Sequence, residues 1–203
     1  MSLLSIAANV AANVGVKAPS SVLANNNDQN AVKIAVFSAE TGDELARRAD
    51  WTGLRKTVTL VSDGTATALS LPNDFLRLIP GLSVMTSAGA PIRTGLSSDE
   101  WNSLTPIQGT PRFANLKAGS IAFYPYLAYA DTATVIYQSN AWGPTGAKWS
   151  NDGDVPLVPE QLMTQGTIWR WRRQLGQDFQ DYLAEYEAAI ADYAKFDDGI
   201  RSP

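Results

Sequence analysis

The chain has 203 residues, 45% of them hydrophobic, which suits one domain, or one domain carrying a sizeable insertion. Histidine and cysteine are both absent, which excludes disulfides, thiolate catalysis, zinc–sulfur sites and any imidazole base or metal ligand. A net charge of -4 argues against a general nucleic-acid binder, and a charged fraction of only 18% fits a protein that covers much of itself with partners.

At the N-terminus Leu3, Ile6, Ala7, Val10 and Val14 recur at helical spacing and predict a short amphipathic helix. The stretch has no early positive charge and no apolar run long enough to span a bilayer, so neither a targeting signal nor a membrane segment is expected. Gly15 to Ala24 reads as a loop. The run Asn25-Asn26-Asn27-Asp28 supplies N-cap residues for a second helix. Ala31, Ile34, Ala35, Ser38 and Leu45 carry that helix to about Ala49, with Gly42 as its weak point and Trp51 at its exit.

The middle of the chain changes character. Val58 to Val61 is a β-branched run, Ser62-Asp63-Gly64 a turn, and Thr65 to Leu71 a second strand. Phe75 to Met85 reads as strand interrupted at Pro80-Gly81. Ser97-Ser98-Asp99-Glu100 has capping-box spacing and predicts a helical turn carrying Trp101. Two more strands fit Ser120 to Tyr124 and Thr132 to Gln138. Trp142 to Val158 is rich in glycine and proline and aperiodic, a return connection.

From Pro159 to Phe196 the apolar positions follow helical intervals. Ile168, Leu175, Tyr182, Ala189 and Phe196 are seven apart, and Phe179, Tyr186 and Tyr193 form a parallel series. The pattern predicts one helix of about 35 residues and about 50 Å. Such a rod needs a bundle or neighbouring subunits to cover its face.

Several segments, taken in order, are similar to one family. These are Glu44-Leu45-Ala46-Arg47-Arg48-Ala49-Asp50-Trp51 with Leu54, then Leu71-Pro72 and Asp74-Phe75 in a Leu-Pro-x-Asp-Phe pattern. Gly109-Thr110-Pro111-Arg112, Ile121-Ala122-Phe123-Tyr124-Pro125 and Ile136-Tyr137 follow, and Pro156 to Pro159 leads into a helix containing Tyr182 and Glu185-Tyr186-Glu187. From about residue 15 to 196 the chain resembles the head–tail adaptor (connector) proteins of tailed bacteriophages. The longer Gly/Pro connection from Trp142 to Gly153 departs from that pattern.

The resemblance implies an α+β fold that is mainly a helical bundle, with a long C-terminal helix and a small antiparallel β-domain inserted between helices. The expected divisions are 1–54 for the N-terminal helices, 55–141 for the β insertion, 142–158 for the connection, 159–196 for the long helix and 197–203 for a tail. It also implies a homo-oligomeric ring, commonly of 12 copies, docked on a portal protein and joined to a downstream tail or neck protein. The expected location is the virion neck between head and tail, after assembly in the host cytoplasm, with genomic DNA passing through unread.

Candidate site residues follow from these two lines. Trp169-Arg170-Trp171-Arg172-Arg173 offers aromatic and basic groups, but five consecutive helical residues point all round the axis and cannot form one patch. Core packing of the tryptophans competes with subunit contacts, for which Trp169, Arg170, Arg172, Arg173, Tyr186 and Tyr193 are the candidates. Asp178, Asp181, Glu185 and Glu187 form either a solvated face or a lumen lining that repels phosphates. Phe196, Asp197, Ile200 and Arg201 are candidate portal contacts, set against an ordinary frayed terminus.

No catalytic, cofactor-binding or metal site is expected. Asn151-Asp152-Gly153-Asp154 faintly suggests a calcium loop, but Met163 stands where the twelfth-position glutamate belongs, so an Asx-type turn is preferred. The chain holds no glycine-rich phosphate loop. The alternative function is a small-ligand or carbohydrate-binding module on the β insertion, using Trp101, Trp142, Tyr124, Tyr126 and Tyr129 as a stacking surface. A carboxylate-dependent hydrolase has no motif behind it.

Overall fold

The computed structural model describes residues 2–24, 27–65, 68–81 and 83–197. Among these the chain forms five α-helices and two four-stranded sheets, divided between two compact units. One unit comprises residues 1–54 and 140–203, and the other Arg55–Ser139.

The helical unit begins with α1, Leu3–Val14, whose buried residues Leu3, Ile6, Ala7, Val10 and Ala11 make one stripe. Ser2 caps its start and Gly15, at φ 75°, ends it in the left-handed conformation that glycine adopts without a Cβ penalty. Helix α2, Gln29–Arg48, starts at Asp28, whose carboxylate accepts from the Asn30 and Ala31 amides. At its far end the Trp51 indole donates to the Leu45 carbonyl at 2.6 Å, satisfying a group that the helix terminus leaves without a partner.

Gly42 is not a weak point. Helix α2 runs unbroken through it, because a Cβ there would stand 2.4 Å from the Trp142 indole. Trp142 is fully buried, donates to Asp43 at 2.7 Å and meets Trp149 edge-on with centroids 4.8 Å apart. Trp149 in turn donates to Ser38 at 2.9 Å. Two indoles thus dock the aperiodic connection onto α2.

The C-terminal segment corrects the expected single rod. It forms two helices, α4, Glu160–Gln174, and α5, Gln180–Asp197. Helix α4 ends in a Schellman motif: Gly176, at φ 66°, donates to the Arg173 carbonyl at 3.2 Å and Gln177 to the Arg172 carbonyl at 3.0 Å. Asp178 then accepts from the Gln180 amide and restarts the helix. A long C-terminal helix remains, α5, with 18 residues. Helix α4 packs on α1, α2 and α5. At the α2 crossing Gly166 lets the backbones approach, since a Cβ there would lie 2.3 Å from Thr41 Cγ2.

The β unit holds two four-stranded sheets, so the fold is α+β rather than mainly a helical bundle with a small β insertion. In one sheet β8, Thr132–Ser139, is central. It pairs antiparallel with β1, Arg55–Val61, on one side and with β3, Phe75–Leu78, and β4, Val84–Thr86, on the other. The second sheet has the order β2, Ala68–Ser70; β7, Ser120–Tyr124; β6, Phe113–Lys117; β5, Arg93–Thr94. The turn at Ser62-Asp63-Gly64 therefore does not close a hairpin. It carries the chain from β1 in the first sheet to β2 in the second, where β2 pairs with β7. Leu60, Val84, Ala133 and Val135 pack with Ile121, Phe123, Ala114 and Leu127 in one core that both sheets share. The short α3, Ser98–Asn102, carries the expected capping box between Ser97 and Glu100.

Candidate functional site

The Trp-Arg run on α4 separates by helical geometry. Trp169 and Trp171 are buried. Arg170 lies between them in sequence but turns toward α2, and it does not reach for solvent: only 7% of it is exposed. Its guanidinium donates to Thr41 Oγ1 and the Gly166 carbonyl, each at 3.0 Å, and to Glu44 Oε2 at 2.5 Å, with Glu40 3.5 Å from Nε. It also lies 4.4 Å from the Trp169 ring centroid. The Tyr186 hydroxyl of α5 reaches the same Glu44 oxygen at 3.4 Å. Burial, then the Glu44 charge, push the Tyr186 phenol well above its usual range, with Arg170 opposing. Trp169, Arg170 and Tyr186 thus belong to the interior of the helical unit.

Arg172 and Arg173 point elsewhere. Arg172 stacks 4.1 Å from the Tyr182 ring centroid and donates to the Asn13 carbonyl of α1 at 3.3 Å. Arg173 is exposed and lies 5.0 Å from the Trp169 centroid. Tyr193, on the exposed side of α5, donates to Gln161 at 2.9 Å.

The acidic residues of α5 and its approach are on the surface. Asp178, Asp181, Glu185 and Glu187 are all exposed. Glu187 pairs with Arg48 of α2. At the end of α5, Phe196 is 74% exposed, and Asp197 accepts from the Thr52 amide at 2.5 Å. Ile200 and Arg201 lie outside the described residues.

Between α1 and α5, over α4, runs a cleft of about 470 Å³. Its walls include Asn9, Asn13, Gln161, Gln165, Tyr182 and Glu185, so four amides, a phenol and one carboxylate face it. Sequence reasoning passed over it, because α1 and α5 are remote in the chain and the amides carry no periodic signal.

The Leu-Pro-x-Asp-Phe pattern has a structural role in the β unit. Leu71 is buried in the shared core, and the Pro72 carbonyl accepts from the Phe75 amide to close a turn. That turn brings Asp74 to Lys56 of β1 at 2.7 Å and to Tyr137 and Ser139 of β8 at 2.9 and 2.8 Å. Burial raises the Asp74 pKa, but the bonds from Lys56, Ser139 and Tyr137 outweigh it and hold the carboxyl below its usual range. Burial and the Asp74 charge push the Tyr137 phenol up to about 12.

The Asn151–Asp154 tract serves the N-terminus. The Asp152 carboxylate accepts from Ser21 at 2.6 Å and from the Val22 and Leu23 amides. The Asp152 and Asp154 carbonyls accept from the first amides of α1, at Leu4 and Leu3. Asp154's carboxylate accepts from the Ser150 and Asn151 amides. Among the described residues no cluster of acidic groups is arranged to hold a metal ion.

Of the aromatics of the alternative reading, Trp142 offers no stacking surface. Trp142 is buried against Gly42 in the helical unit, whereas Tyr129 is 78% exposed in the β unit. Trp101, Tyr124 and Tyr126 are partly buried.

The family model described as SU10 adaptor protein matches residues 1–203, the whole chain. The chain belongs to the SU10 adaptor protein family. This adaptor therefore has the structural role of a phage virion component that interacts with other virion proteins, in a family that is structural, not enzymatic. No curated protein matches it. Among the described residues of the adaptor, no helix is long and apolar enough to cross a membrane.

Proposed function

We propose that the protein assembles as a closed ring beneath the portal, joins the capsid to the tail, and continues the channel through which DNA passes. The whole-length match to an adaptor family carries this reading. Exposed acidic groups on α5 support a channel lining that repels phosphate, with Asp178, Asp181, Glu185 and Glu187 facing the lumen. Arg172, Arg173 and Tyr193 are the surface groups for contact between neighbouring copies. Phe196, exposed at the end of α5, is assigned to the portal together with Asp197, Ile200 and Arg201. Twelve copies follow the family resemblance. Cyclic heterologous contacts close such a ring, and repeated weak contacts give it high avidity.

Light-scattering mass and electron microscopy of the purified protein, alone and mixed with the portal of its own phage, test the reading. Rings in either sample are expected. A monomer indifferent to the portal would overturn it.

A further inference from the structure

Two acceptors on the cleft between α1 and α5 lack a partner. Gln165 Oε1 is shielded from solvent and accepts no hydrogen bond among the described residues. A buried acceptor left in this state destabilises the fold until a donor reaches it. On the opposite wall Glu185 is exposed and has no ion pair among the described residues, whereas Glu187 is paired with Arg48 and Asp192 with Lys195. One end of the cleft already shows what its wall accepts: the Arg172 guanidinium lies over Tyr182 and donates to the Asn13 carbonyl.

A single side chain that satisfies both a carboxylate and a buried amide oxygen must offer at least two donors, and an unpaired carboxylate favours one that carries positive charge. Lysine and arginine side chains do so. The chain itself exposes such groups, since Lys17, Arg93, Arg112, Lys117 and Lys148 have no ion pair among the described residues. Charge is also unevenly divided. The helical unit carries fifteen acidic and ten basic residues, and the β unit five acidic and six basic, giving net charges of -5 and +1. Unpaired acceptors and unpaired cations on one chain are complementary between copies.

The geometry points to the α1–α5 cleft as a socket for a lysine or arginine side chain of a second copy, held by Glu185 and Gln165. This rests on the oligomeric reading above, adds to it the residues that make the contact, and takes Glu185 out of the channel lining. A socket on one surface and a cation on another is a heterologous contact, the kind that propagates around a ring.

The absence of cysteine permits a clean test. E185C protein is mixed with K17C, R93C, R112C, K117C or K148C protein under ring-forming conditions, with portal if required, and disulfides are read on a non-reducing gel. In parallel, association is measured for E185K, whose fold is checked by circular dichroism. The expected result is a dimer band with one of the five partners and association weakened about tenfold or more by E185K. Reversal of the cross-linking cation to glutamate is expected to restore association with E185K. Rings that form with unchanged affinity in E185K overturn the socket and leave the ring reading intact. Weakened association with no cross-link at any of the five also overturns it. Protein that stays monomeric under every condition overturns both.

Discussion

Arg170 donates to Glu44 across 2.5 Å inside the helical unit, and this bond joins the middle of α4 to the last turns of α2. Two further guanidinium N–H groups go to Thr41 and the Gly166 carbonyl, and Nε lies 3.5 Å from Glu40, so the buried charge is well supported. Removing Arg170 leaves the partly buried Glu44 with only Arg48, 3.9 Å away, and the Tyr186 hydroxyl beside it. Arg170→Met is therefore expected to destabilise the protein by about 2 kcal/mol, less than the loss of one partner from a fully buried pair. Replacing both, as Arg170→Met with Glu44→Leu, is expected to recover most of the loss. Urea unfolding of the two variants checks this. A double variant no more stable than the single one would mean that the pair itself, not relief of a lone charge, sustains the crossing.

Two glycines on facing helices are packing positions. Alanine is the better helix former by about 1 kcal/mol, so an ordinary helical glycine would be stabilised by replacement. Here the sign reverses. Gly42→Ala would drive its Cβ to 2.4 Å from the Trp142 indole, and Gly166→Ala to 2.3 Å from Thr41. Each is expected to cost about 1–3 kcal/mol through overpacking, read as a lowered denaturant midpoint.

The elements whose evidence lies within a few neighbouring residues were legible in the sequence. The stripe of Leu3, Ile6, Ala7 and Val10, the caps at Asp28 and Ser97, and the strand at Ser120–Tyr124 all depend on local spacing. What decided the fold class was not local. Strands β2, β4 and β7 overlap expected strands, but local spacing does not say which sheet each joins; β5 has only two residues and Phe113–Lys117 places only Ala114 in the core, so neither of these two is marked by alternation. The second sheet stayed hidden for that reason. The apparent hairpin at Ser62–Gly64 failed because β1 finds its partner more than seventy residues away, in β8. The cleft was invisible because its walls meet only through tertiary packing. The bonds from Arg170 to Glu44 and Thr41 were likewise not legible, since they link residues more than 120 positions apart.

The break between α4 and α5 was legible and overridden. A seven-residue apolar series ran straight through Leu175-Gly176, but the series only selects a face and does not forbid a stop. Gly176 sits at φ 66° with both Schellman bonds formed, a conformation that costs a residue bearing a Cβ about 1–2 kcal/mol. Gly176→Ala is expected to lower stability by about 1 kcal/mol, and Gly176→Asn by less, since asparagine tolerates this region better. Thermal unfolding of the pair checks the ordering. Equal stability of the alanine variant and the parent would show that the elbow readily adopts another conformation.

Asp74 gives the β unit a predictable response to acid. Its carboxyl is depressed in the folded chain by Lys56, Ser139 and Tyr137, against the raising effect of burial. A group with a depressed folded pKa binds protons more tightly when unfolded, so unfolding takes up a proton in the window between the two values. Its contribution is fully present above the unfolded value of about 3.9 and is lost as pH falls through the folded value. Stability is therefore expected to be flat in this respect near neutrality and to drop below about pH 4. Other depressed carboxyls, among them Asp152, act in the same direction, so the parent alone does not isolate Asp74. The comparison with Asp74→Asn does. That variant keeps the shape but loses the charge facing Lys56, and is expected to be less stable than the parent at pH 7, with the gap narrowing as the pH approaches 3. A gap that stays constant from pH 7 to pH 3 would show that the clamp works through shape and neutral hydrogen bonds, with the Asp74 charge adding nothing.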